Sequence, residues 1–590
     1  MSSQPEQDSV HVWDKVEVGL AANGSYDNPY TEVDVWVDLE GPGFRRRVYG
    51  FWDGGHQFLV RIMPTGPGTW RWTSGSNQSD AGLNGQSGAF EAVPWSEEEI
   101  AVNDCRRGLL RATPNGRGLE WSDGTPVYLQ GDTWWAVPTW RYPWFDDDTP
   151  RELGPGVGFK DMVRYRKAQG YNLIAMIAAF PQWANDGHPA TVWFDEERGL
   201  AVRSAWPDVV TGSAEDMHNE GGRPFLFPGR VPGYENLFPD MDRINPAYFQ
   251  YMDRKIDYLN AQGMVPFIEV ARRDASTLWK EFYDWPASYR RFARYVFCRY
   301  QANNVILSPI HYDWGGMSVA ASEYNAIAKD LAAEGLPAFG QLRSCNASGS
   351  SMINFGTDDV APWITLHQIG NRRYHDSHWL LTQIYNEENP PKPALNGEPY
   401  YVGWPLGTSI KPHTDEAAMY ARSGMYGSFL SGGLAGHIYG AEGLWNGHIE
   451  PESEYPMWEA IQWQSGAQME YLTRFALSEG NRYLELVPDT QLVVPNQTHE
   501  LKSNRGWAYC ARTQDKALYM IYLEADCPQL IVRAAIPGAA YEAQWYDPRT
   551  GAWQPIGVIE TDGDANLQLP APPSSEDWAA KLVLRDTKAS

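Results

Sequence analysis

The chain has 590 residues, of which 43% are hydrophobic and 21% charged, and its formal net charge is −26. This length exceeds what one hydrophobic core usually supports and predicts two to four domains. So acidic a surface repels phosphate backbones and anionic lipids, which argues against nucleic acid and membranes as partners. The aromatic content of 13% is high. Aromatic faces stack on sugar rings, although β-rich domains also use many aromatic residues.

The cysteines and the first residues indicate no disulfide framework, metal or leader. The five cysteines are scattered, and no Cys-x-x-Cys pair occurs, so a structural zinc site is not expected. We expect neither a metal nor a cofactor. Residues 1–10 show no signal peptide, so a cytoplasmic location is expected as the sequence stands, or a secreted or periplasmic one if a leader has been removed. The oligomeric state stays open.

Residues 1–105 are predicted to form a β-sandwich. Val33–Leu39 alternates apolar and polar side chains with period two, which is typical of a half-buried strand. Turn signals recur at short intervals, at residues 41–43, 54–55 and 66–68, and no helical period appears.

Residues 106–480 alternate strand and helix patterns, which predicts a (β/α)8 TIM barrel, with a long insertion at residues 180–245. The helices are predicted at Pro246–Gly263, Pro286–Asn303, Val319–Gly335, Ser377–Asn389 and Thr414–Leu430. The eight strands, mostly short apolar runs, are predicted at Val127–Gly131, Asn172–Ala178, Val265–Val270, Val305–Ile310, Ala338–Leu342, Trp363–Ile369, Pro393–Asn396 and Gly436–Tyr439.

Residues 481–590 return to strand patterns and predict a small C-terminal β-sandwich. The strands are expected at Thr490–Val494, Ala517–Leu523 and Leu530–Ala534, and Asp547–Gly551 reads as a turn between strands. The predicted fold class is therefore multidomain, α/β plus all-β, with β domains on both sides of the barrel.

Two carboxylates stand where the active site of a barrel forms, at the carboxyl ends of its strands. Asp313 follows the fourth predicted strand and Glu398 follows the seventh. Glycoside hydrolysis needs one carboxylic acid to protonate the leaving oxygen and a second carboxylate to attack the anomeric carbon or activate water. We predict Asp313 as the acid/base and Glu398 as the nucleophile. Alternatively, Glu398 caps a helix or pairs with an arginine, and Asp313 bonds to the Gly315-Gly316 turn.

Further polar and aromatic residues at the strand ends are predicted to bind substrate. Asp132 could instead lock the first strand to a loop, and Glu269 could tune the other carboxylates or simply pair with Arg272. His367 and His437 could each be core histidines, and a calcium site near Asp186, Asp195 and Glu196 stays open. The predicted substrate-binding residues are Asp132, Trp134, Trp135, Trp183, Glu269, His311, His367, Gln368, Asn396, Tyr400, His437, Tyr439 and Trp445.

Several of these segments resemble the apiosidase-like barrel hydrolases, of which glycoside hydrolase family 140 is the characterised relative. The segments are Gly131–Trp135, Asn304–Asp313, Asn396–Tyr400 and Gly432–Gly440. The resemblance implies an Asp after strand four and a Glu after strand seven as the catalytic pair, which correspond to Asp313 and Glu398. The N-terminal strands are similar to the β-sandwich that often precedes such barrels. The C-terminal strands are similar to a collagen-binding-like domain, here expected to support the barrel.

The pocket departs from that family in two places. Relatives often carry Gly-Gly-Asp after strand four, where this chain has His311-Tyr312-Asp313, and Ser-Gly-His after strand six, where it has Gln368-Ile369-Gly370. The expected function is cleavage of a plant or microbial polysaccharide or oligosaccharide with retention of configuration. The alternatives are a non-catalytic glycan-binding barrel and a polysaccharide lyase with Tyr312 or Tyr400 as base. Retention predicts carboxyl groups about 5–5.5 Å apart, and inversion about 6.5–9.5 Å.

Overall fold

The computed structural model describes residues 10–179, 218–233, 235–236, 238–273, 276–313, 319–370, 378–403, 410–449, 453–496 and 505–585. Within these ranges no helix is both long and apolar enough to cross a membrane. Three separate groups of sheets follow one another along the chain.

Two antiparallel-rich sheets at the N-terminus pack on a shared apolar cluster, as the alternating pattern predicts. In Val35–Gly41 alternate side chains are buried, and they meet those of Gln57–Ile62 from the other sheet. One sheet has the order Val10–His11, Ser87–Val93, Gly68–Ser76, Val35–Gly41, Phe44–Tyr49, and the other has the order Val16–Ala21, Gln57–Ile62, Phe51–Gly54.

The central sheet has eight strands, which we number β1 to β8 in chain order. Its spatial order is β4-β3-β2-β1-β8-β7-β6-β5, and all neighbours pair in parallel except β5, which runs antiparallel to β6. Most side chains along these strands are buried, as apolar runs predict. The strands are β1 Leu129–Thr133, β2 Leu173–Ala179, β3 Val265–Ala271, β4 Ile306–Ser308, β5 Gly349–Ser350, β6 His367–Gly370, β7 Ala394–Asn396 and β8 Gly436–Tyr439.

The predicted fifth strand, Ala338–Leu342, is wrong in position. Ala338 and Phe339 pack on the N-terminal apolar cluster instead, so their apolar character serves a contact between sheet groups. Parallel pairing begins later: Arg343 bridges Leu307, and Asn346–Ala347 pairs with His311–Tyr312. The backbone N–H of Leu366 also donates to the carbonyl of Arg343 at 3.1 Å, which connects this segment to the residues before β6.

Helices lie between the strands close to where their patterns predict them. Asn245 caps the helix Pro246–Ala261, because its side chain accepts a hydrogen bond from the backbone N–H of Ala247. Thr414 caps the helix Asp415–Leu430 in the same way. The other helices of eight or more residues in the central region are Phe159–Ala168, Ala287–Tyr300, Ala321–Ala333, His378–Tyr385 and Met469–Ala476, and shorter ones are Ser276–Phe282, Ser351–Phe355, Glu442–Trp445, Met457–Ala460 and Gln464–Ala467.

The C-terminal residues form a six-stranded and a three-stranded sheet around their own apolar cluster. Asp547–Gly551 turns between two paired strands, as predicted. In spatial order the larger sheet is Leu486–Pro488, Ala508–Thr513, Leu518–Leu523, Trp578–Leu584, Ala540–Asp547, Ala552–Glu560, and the smaller is Val493–Val494, Ile531–Val532, Leu567–Gln568.

Buried ion pairs tie both flanking β regions to the central helices. Arg61 of the N-terminal sheet and Arg299 share the carboxylate of Asp253. Arg422 makes two hydrogen bonds to Asp577 of the C-terminal sheet, at 2.8 and 2.7 Å. All these side chains are buried, so neither contact can be lost without leaving a charge in the interior.

Candidate active site

Side chains that follow β4 and β7 meet at the carboxyl ends of the parallel strands. Asp313 lies one residue after the paired segment His311–Tyr312, and Glu398 lies two residues after β7. A ring nitrogen of His311 and one carboxylate oxygen from each of Asp313 and Glu398 all lie within 4.8 Å of one another. Asp313 and Glu398 keep only 5% and 7% of their surface exposed, so the described residues enclose both carboxylates almost completely.

Asp313 is clamped by positive charge. Arg272 Nη2 donates to one carboxylate oxygen at 3.1 Å, and Arg273 Nη1 donates to the other. Burial opposes ionisation of Asp313, but the guanidinium groups of Arg273 and Arg272 outweigh it and hold its pKa well below the usual range. Asp313 is therefore an ionised carboxylate in this arrangement. The Gly315-Gly316 turn lies outside the described residues.

His311 is held between two carboxylates. Its Nδ1 contacts Glu269 Oε2, and its Nε2 lies 3.5 Å from Asp313 Oδ1. Burial opposes protonation of the ring, yet these carboxylates raise the pKa of His311 to about 10. The ring of Trp135 packs edge-on against it at 4.7 Å between centroids, which fixes its orientation.

Glu398 accepts hydrogen bonds on both oxygens. Asn346 Nδ2 donates to Oε2 and the Tyr401 hydroxyl donates to Oε1, both at 3.0 Å. The indole N–H of Trp135 in turn donates to the Tyr401 oxygen at 3.1 Å. Gly440 leaves room for the Tyr401 ring, since a Cβ there would lie 2.0 Å from a ring carbon. Asn346 and Tyr401 thus orient Glu398 directly, and Trp135 and Gly440 do so indirectly through the Tyr401 ring.

Glu269 joins the two halves of this group. Its Oε2 contacts His311, and its Oε1 accepts the backbone N–H of Asn346 at 3.2 Å. These bonds favour a role for Glu269 as a third carboxylate that acts on the other site groups. The alternative, a pair with Arg272, fits less well because Arg272 donates to Asp313.

Three side chains of this group were not singled out from the sequence. Arg273 directly follows Arg272, and Tyr401 directly follows the Asn396–Tyr400 segment, so adjacency alone could have indicated them. Asn346 lies outside the predicted fifth strand, Ala338–Leu342, so the sequence pattern gives no reason to expect it at a strand end.

The same atoms have the spacing of a metal site, but their surroundings oppose a cation. His311, Asp313 and Glu398 each offer a ligand atom. Arg272 and Arg273 both pair with Asp313, and the positive charge of these two guanidinium groups beside the ligand atoms would repel a cation.

Comparison with known families decides the relationship of the chain. Residues 113–482 match the family described as Apiosidase-like, catalytic domain, which covers more than half of the chain. The chain belongs to the apiosidase-like family. It is accordingly a glycoside hydrolase. Residues 9–77 match a domain family of unknown function, and residues 487–584 match a collagen-binding-like domain family described from a collagenase. No curated protein sequence matches the chain.

Two solved structures have a similar fold. A protein from Bacteroides vulgatus ATCC 8482, described as a glycoside hydrolase, superposes with a TM-score of 0.64 at 15% identity, over 98% of this chain and all of that one. A family 5 glycoside hydrolase from the same strain has a TM-score of 0.56 at 17% identity, over 81% of this chain and 94% of that one. At these identities the likeness concerns the fold.

Not every predicted substrate-binding residue of this apiosidase-like chain reaches the site. Asp132 is fully buried and accepts from Arg166 Nε at 2.6 Å, with Arg166 equally buried. This favours the structural alternative, in which Asp132 locks β1, over the substrate contact that we predicted. Trp134 is also fully buried and stacks on Tyr142, so it belongs to the core rather than to a sugar platform.

Four further predicted residues lie within the sheet. His367 bonds to Ser351, Gln368 to Ser344, and Asn396 to Ser428 on the helix Asp415–Leu430. Burial lowers the pKa of both His367 and His437 to about 3, so each is a neutral interior ring. Both residues therefore fit the alternative that they are core histidines, and not the prediction that they bind substrate.

The remaining predicted residues lie around β7 and β8 or outside the described ranges. Tyr400 packs edge-on against Tyr420, and its pKa is raised by burial to about 12, so it is not a ready base. Tyr439 bonds to Ser465 and Trp445 to Glu442. Trp183 and the acidic residues Asp186, Asp195 and Glu196 lie outside the described residues.

Proposed function

We propose that this chain is a retaining glycosidase that cleaves O-glycosidic bonds in a plant or microbial polysaccharide or oligosaccharide. Glu398 is the nucleophile and Asp313 is the acid/base. The observation that carries the proposal is the approach of the two carboxylates, whose nearest oxygens lie within 4.8 Å.

The separation of the carboxyl groups favours retention over inversion. A retaining enzyme places them about 5–5.5 Å apart because the nucleophile itself attacks the anomeric carbon, whereas an inverting enzyme needs about 6.5–9.5 Å to admit a water between base and sugar. The approach of one oxygen of Asp313 to one of Glu398 within 4.8 Å supports the shorter of these two separations. Glu398 attacks and forms a glycosyl-enzyme ester, which a water then hydrolyses.

The bonds around Glu398 suit a nucleophile. Both its oxygens accept hydrogen bonds, from Asn346 and Tyr401, so the carboxylate cannot rotate freely. A carboxylate aimed at the anomeric carbon loses little entropy in reaching the transition state. The indole N–H of Trp135 supports Tyr401 in turn.

The charge of the site supports a neutral sugar as substrate. In the described part of the site the three carboxylates of Asp313, Glu269 and Glu398 are balanced by three cations: Arg272 and Arg273 pair with Asp313, and His311 pairs with Glu269. The chain as a whole carries −26, which repels polyanionic glycans at long range.

The proposal includes a closed (β/α)8 barrel over residues 106–480, with a β-sandwich before it and a small β domain after it. The support is the set of backbone bonds between β4 and β6, where Leu307 N–H donates to Leu342 O at 3.0 Å and Leu366 N–H donates to Arg343 O at 3.1 Å. The segment Leu342-Arg343, which makes these bonds, occupies the position of the fifth parallel strand in the proposed barrel.

The test is hydrolysis of a panel of 4-nitrophenyl glycosides and plant and microbial polysaccharides by wild type, Glu398→Gln and Asp313→Asn. We expect both variants to lose about 10³-fold or more in kcat on the substrate that wild type cleaves, because each removes a group that bonds to the reacting atoms. The anomer released first, followed by NMR, should have the configuration of the substrate.

Glu388→Gln is the matched control, since Glu388 is an exposed glutamate on the loop before β7 and should leave the rate unchanged. Full activity in either site variant would show that the catalytic pair is wrong. An inverted product would exclude the nucleophilic role of Glu398, and a wild type inactive on every glycan would overturn the proposed reaction.

A further inference from the structure

We propose that His311, held by Glu269, stores the proton that Asp313 delivers to the leaving group. This inference rests on the proposed function. It assigns a positioning residue, His311, and a supporting carboxylate, Glu269, to a proton relay Glu269–His311–Asp313.

The relay answers a difficulty in the acid/base role of Asp313. A general acid must carry a proton when substrate binds. Asp313 is instead ionised, because Arg272 and Arg273 bond to its two oxygens. An acid of this kind can act only if a neighbouring group supplies the proton during the reaction.

His311 has the geometry of such a neighbour. An ionised carboxylate can only accept hydrogen bonds, so a ring between two carboxylates must donate from both nitrogens. Nδ1 faces Glu269 and Nε2 faces Asp313, so the ring is an imidazolium when both carboxylates are ionised. Trp135 packs against the ring and prevents it from turning away from Asp313.

Glu269 is fixed independently of the ring that it supports. Its second oxygen accepts the backbone N–H of Asn346, and its side chain is fully buried. Burial raises the pKa of the Glu269 carboxyl and the positive charge of His311 opposes this rise, so the ionised forms of the two groups support each other. The charged groups that face His311 from the surrounding elements are Glu269, Arg272, Arg273, Asp313 and Glu398.

The steps balance in protons and bonds. As Glu398 forms a bond to the anomeric carbon, the bond from that carbon to the leaving oxygen breaks. Asp313 takes the Nε2 proton of His311, which leaves the ring neutral, and passes this proton to the leaving oxygen. In the second step water attacks the anomeric carbon, the ester bond to Glu398 breaks, and the proton released by the water returns through Asp313 to Nε2.

The first experiment compares His311→Gln with wild type on aryl glycosides of the sugar that wild type cleaves. Leaving groups that need protonation, such as methyl and phenyl, should lose about 10²–10⁴-fold in kcat/KM. The 2,4-dinitrophenyl glycoside leaves as a stable anion and should lose less than about 10-fold. A merely structural role would lower all substrates by the same factor.

The second experiment removes the charge of Glu269. In Glu269→Gln the pKa of His311 should fall towards its ordinary value of about 6.5, so the basic limb of the kcat/KM profile should move down by at least about one pH unit. Glu269→Asp, which keeps the charge, should restore part of the profile. His413→Gln is the control, since His413 is an exposed histidine and should change neither profile nor leaving-group dependence.

Nitrogen NMR of the histidine rings gives a readout that needs no substrate. The signal that is missing in His311→Gln should stay in the doubly protonated form at pH 8 in wild type and become neutral in Glu269→Gln. A neutral ring in wild type at pH 8, or an equal loss on all leaving groups, would overturn the relay. Failure of the relay and failure of the proposed reaction can be distinguished. If only the relay fails, Glu398→Gln and Asp313→Asn still lose activity, whereas a wild type inactive on every glycoside overturns the proposed reaction itself.

Discussion

At the scale of single residues, the surroundings of two buried aspartates distinguish a proposed catalytic side chain from a structural one. Asp132 and Asp313 are both aspartates near strand ends, and both bond to arginine. Asp132 has no exposed surface and its partner Arg166 has none either, whereas Asp313 retains a small exposed surface near Glu398. This difference fits the proposed acid/base role of Asp313 and a structural role of Asp132.

The buried pair predicts a loss of stability rather than of catalysis. Arg166→Met leaves the Asp132 carboxylate without its partner in the interior, which should cost about 3–5 kcal/mol of unfolding free energy. Urea denaturation followed by tryptophan fluorescence measures this cost. The kcat/KM of the folded fraction should stay within about 3-fold of wild type.

Arg474→Met is the comparison for this pair, because Arg474 and Glu470 form an exposed i,i+4 pair whose loss should cost less than about 1 kcal/mol. An Arg166→Met protein as stable as wild type would contradict the structural role of Asp132.

At the scale of elements, the ends of neighbouring strands set the geometry around Glu398, the proposed nucleophile. Gly440 follows β8, and its N-terminal neighbours pair with β1 and β7. Its missing side chain leaves space for the ring of Tyr401, whose hydroxyl bonds to Glu398. The position of Glu398 therefore depends on a residue of another strand that never touches it.

Gly440→Ala should displace Tyr401 and lower kcat/KM by about 10–100-fold, because an oriented catalytic group loses rate steeply when it moves by about 1 Å. Tyr401→Phe removes the same bond to Glu398 directly. If Gly440 acts through Tyr401, the double variant should be no slower than the slower single variant. Steady-state kinetics on the same substrate measures all three.

Gly424→Ala is the control for this change, since a Cβ at Gly424 meets no atom within 4 Å and the position lies inside the helix Asp415–Leu430. It should leave the rate unchanged and stabilise the helix slightly. Additive losses in the double variant would exclude the path through Tyr401.

At the scale of the whole molecule, the C-terminal sheet meets the central helices through buried acidic groups. Ser423 of the helix Asp415–Leu430 donates to Glu524 at 2.7 Å, and Tyr509 donates to the same oxygen at 3.3 Å. Glu524 has no exposed surface, and burial raises its pKa to about 8. The interface therefore holds this carboxyl in its neutral form at neutral pH.

This carboxyl makes stability depend on pH. The folded chain keeps the Glu524 proton up to about pH 8, whereas the unfolded chain releases it near its ordinary pKa of 4.5. The stabilisation is therefore fully present below about pH 4.5 and is lost as the pH rises towards 8. Relative to Glu524→Gln, whose amide resembles the neutral acid, wild type should lose about 2–4 kcal/mol between pH 5 and 8.

Urea denaturation at both pH values checks this difference. Glu542→Gln, at an exposed glutamate on the strand Ala540–Asp547, should follow wild type at every pH. A Glu524→Gln variant that follows wild type as well would show that Glu524 is ionised in the folded protein.

The sequence alone determined the parts of this protein that depend on local pattern. Period-two alternation predicted a strand at Val33–Leu39, which the structure has at Val35–Gly41, and short apolar runs predicted β2 and β3 to within one residue. A capped amphipathic stretch predicted a helix at Pro246–Gly263, which the structure has at Pro246–Ala261. The resemblance of segments such as Asn396–Tyr400 predicted the apiosidase-like family, which the match over residues 113–482 confirms. These signals lie within about twenty consecutive residues and need no distant contact.

Only the tertiary structure decided which polar residues belong to one site. Arg273, Asn346 and Tyr401 come from segments far apart in the chain, and they meet Asp313 or Glu398 only because parallel strands end at one edge of the sheet. Asp132 shows the converse, since its strand-end position is shared with site residues but its side chain bonds to Arg166 in the interior. The physical reason is that burial and charge pairing are set by the neighbours of a side chain in space, and pattern along the chain records only its neighbours in sequence.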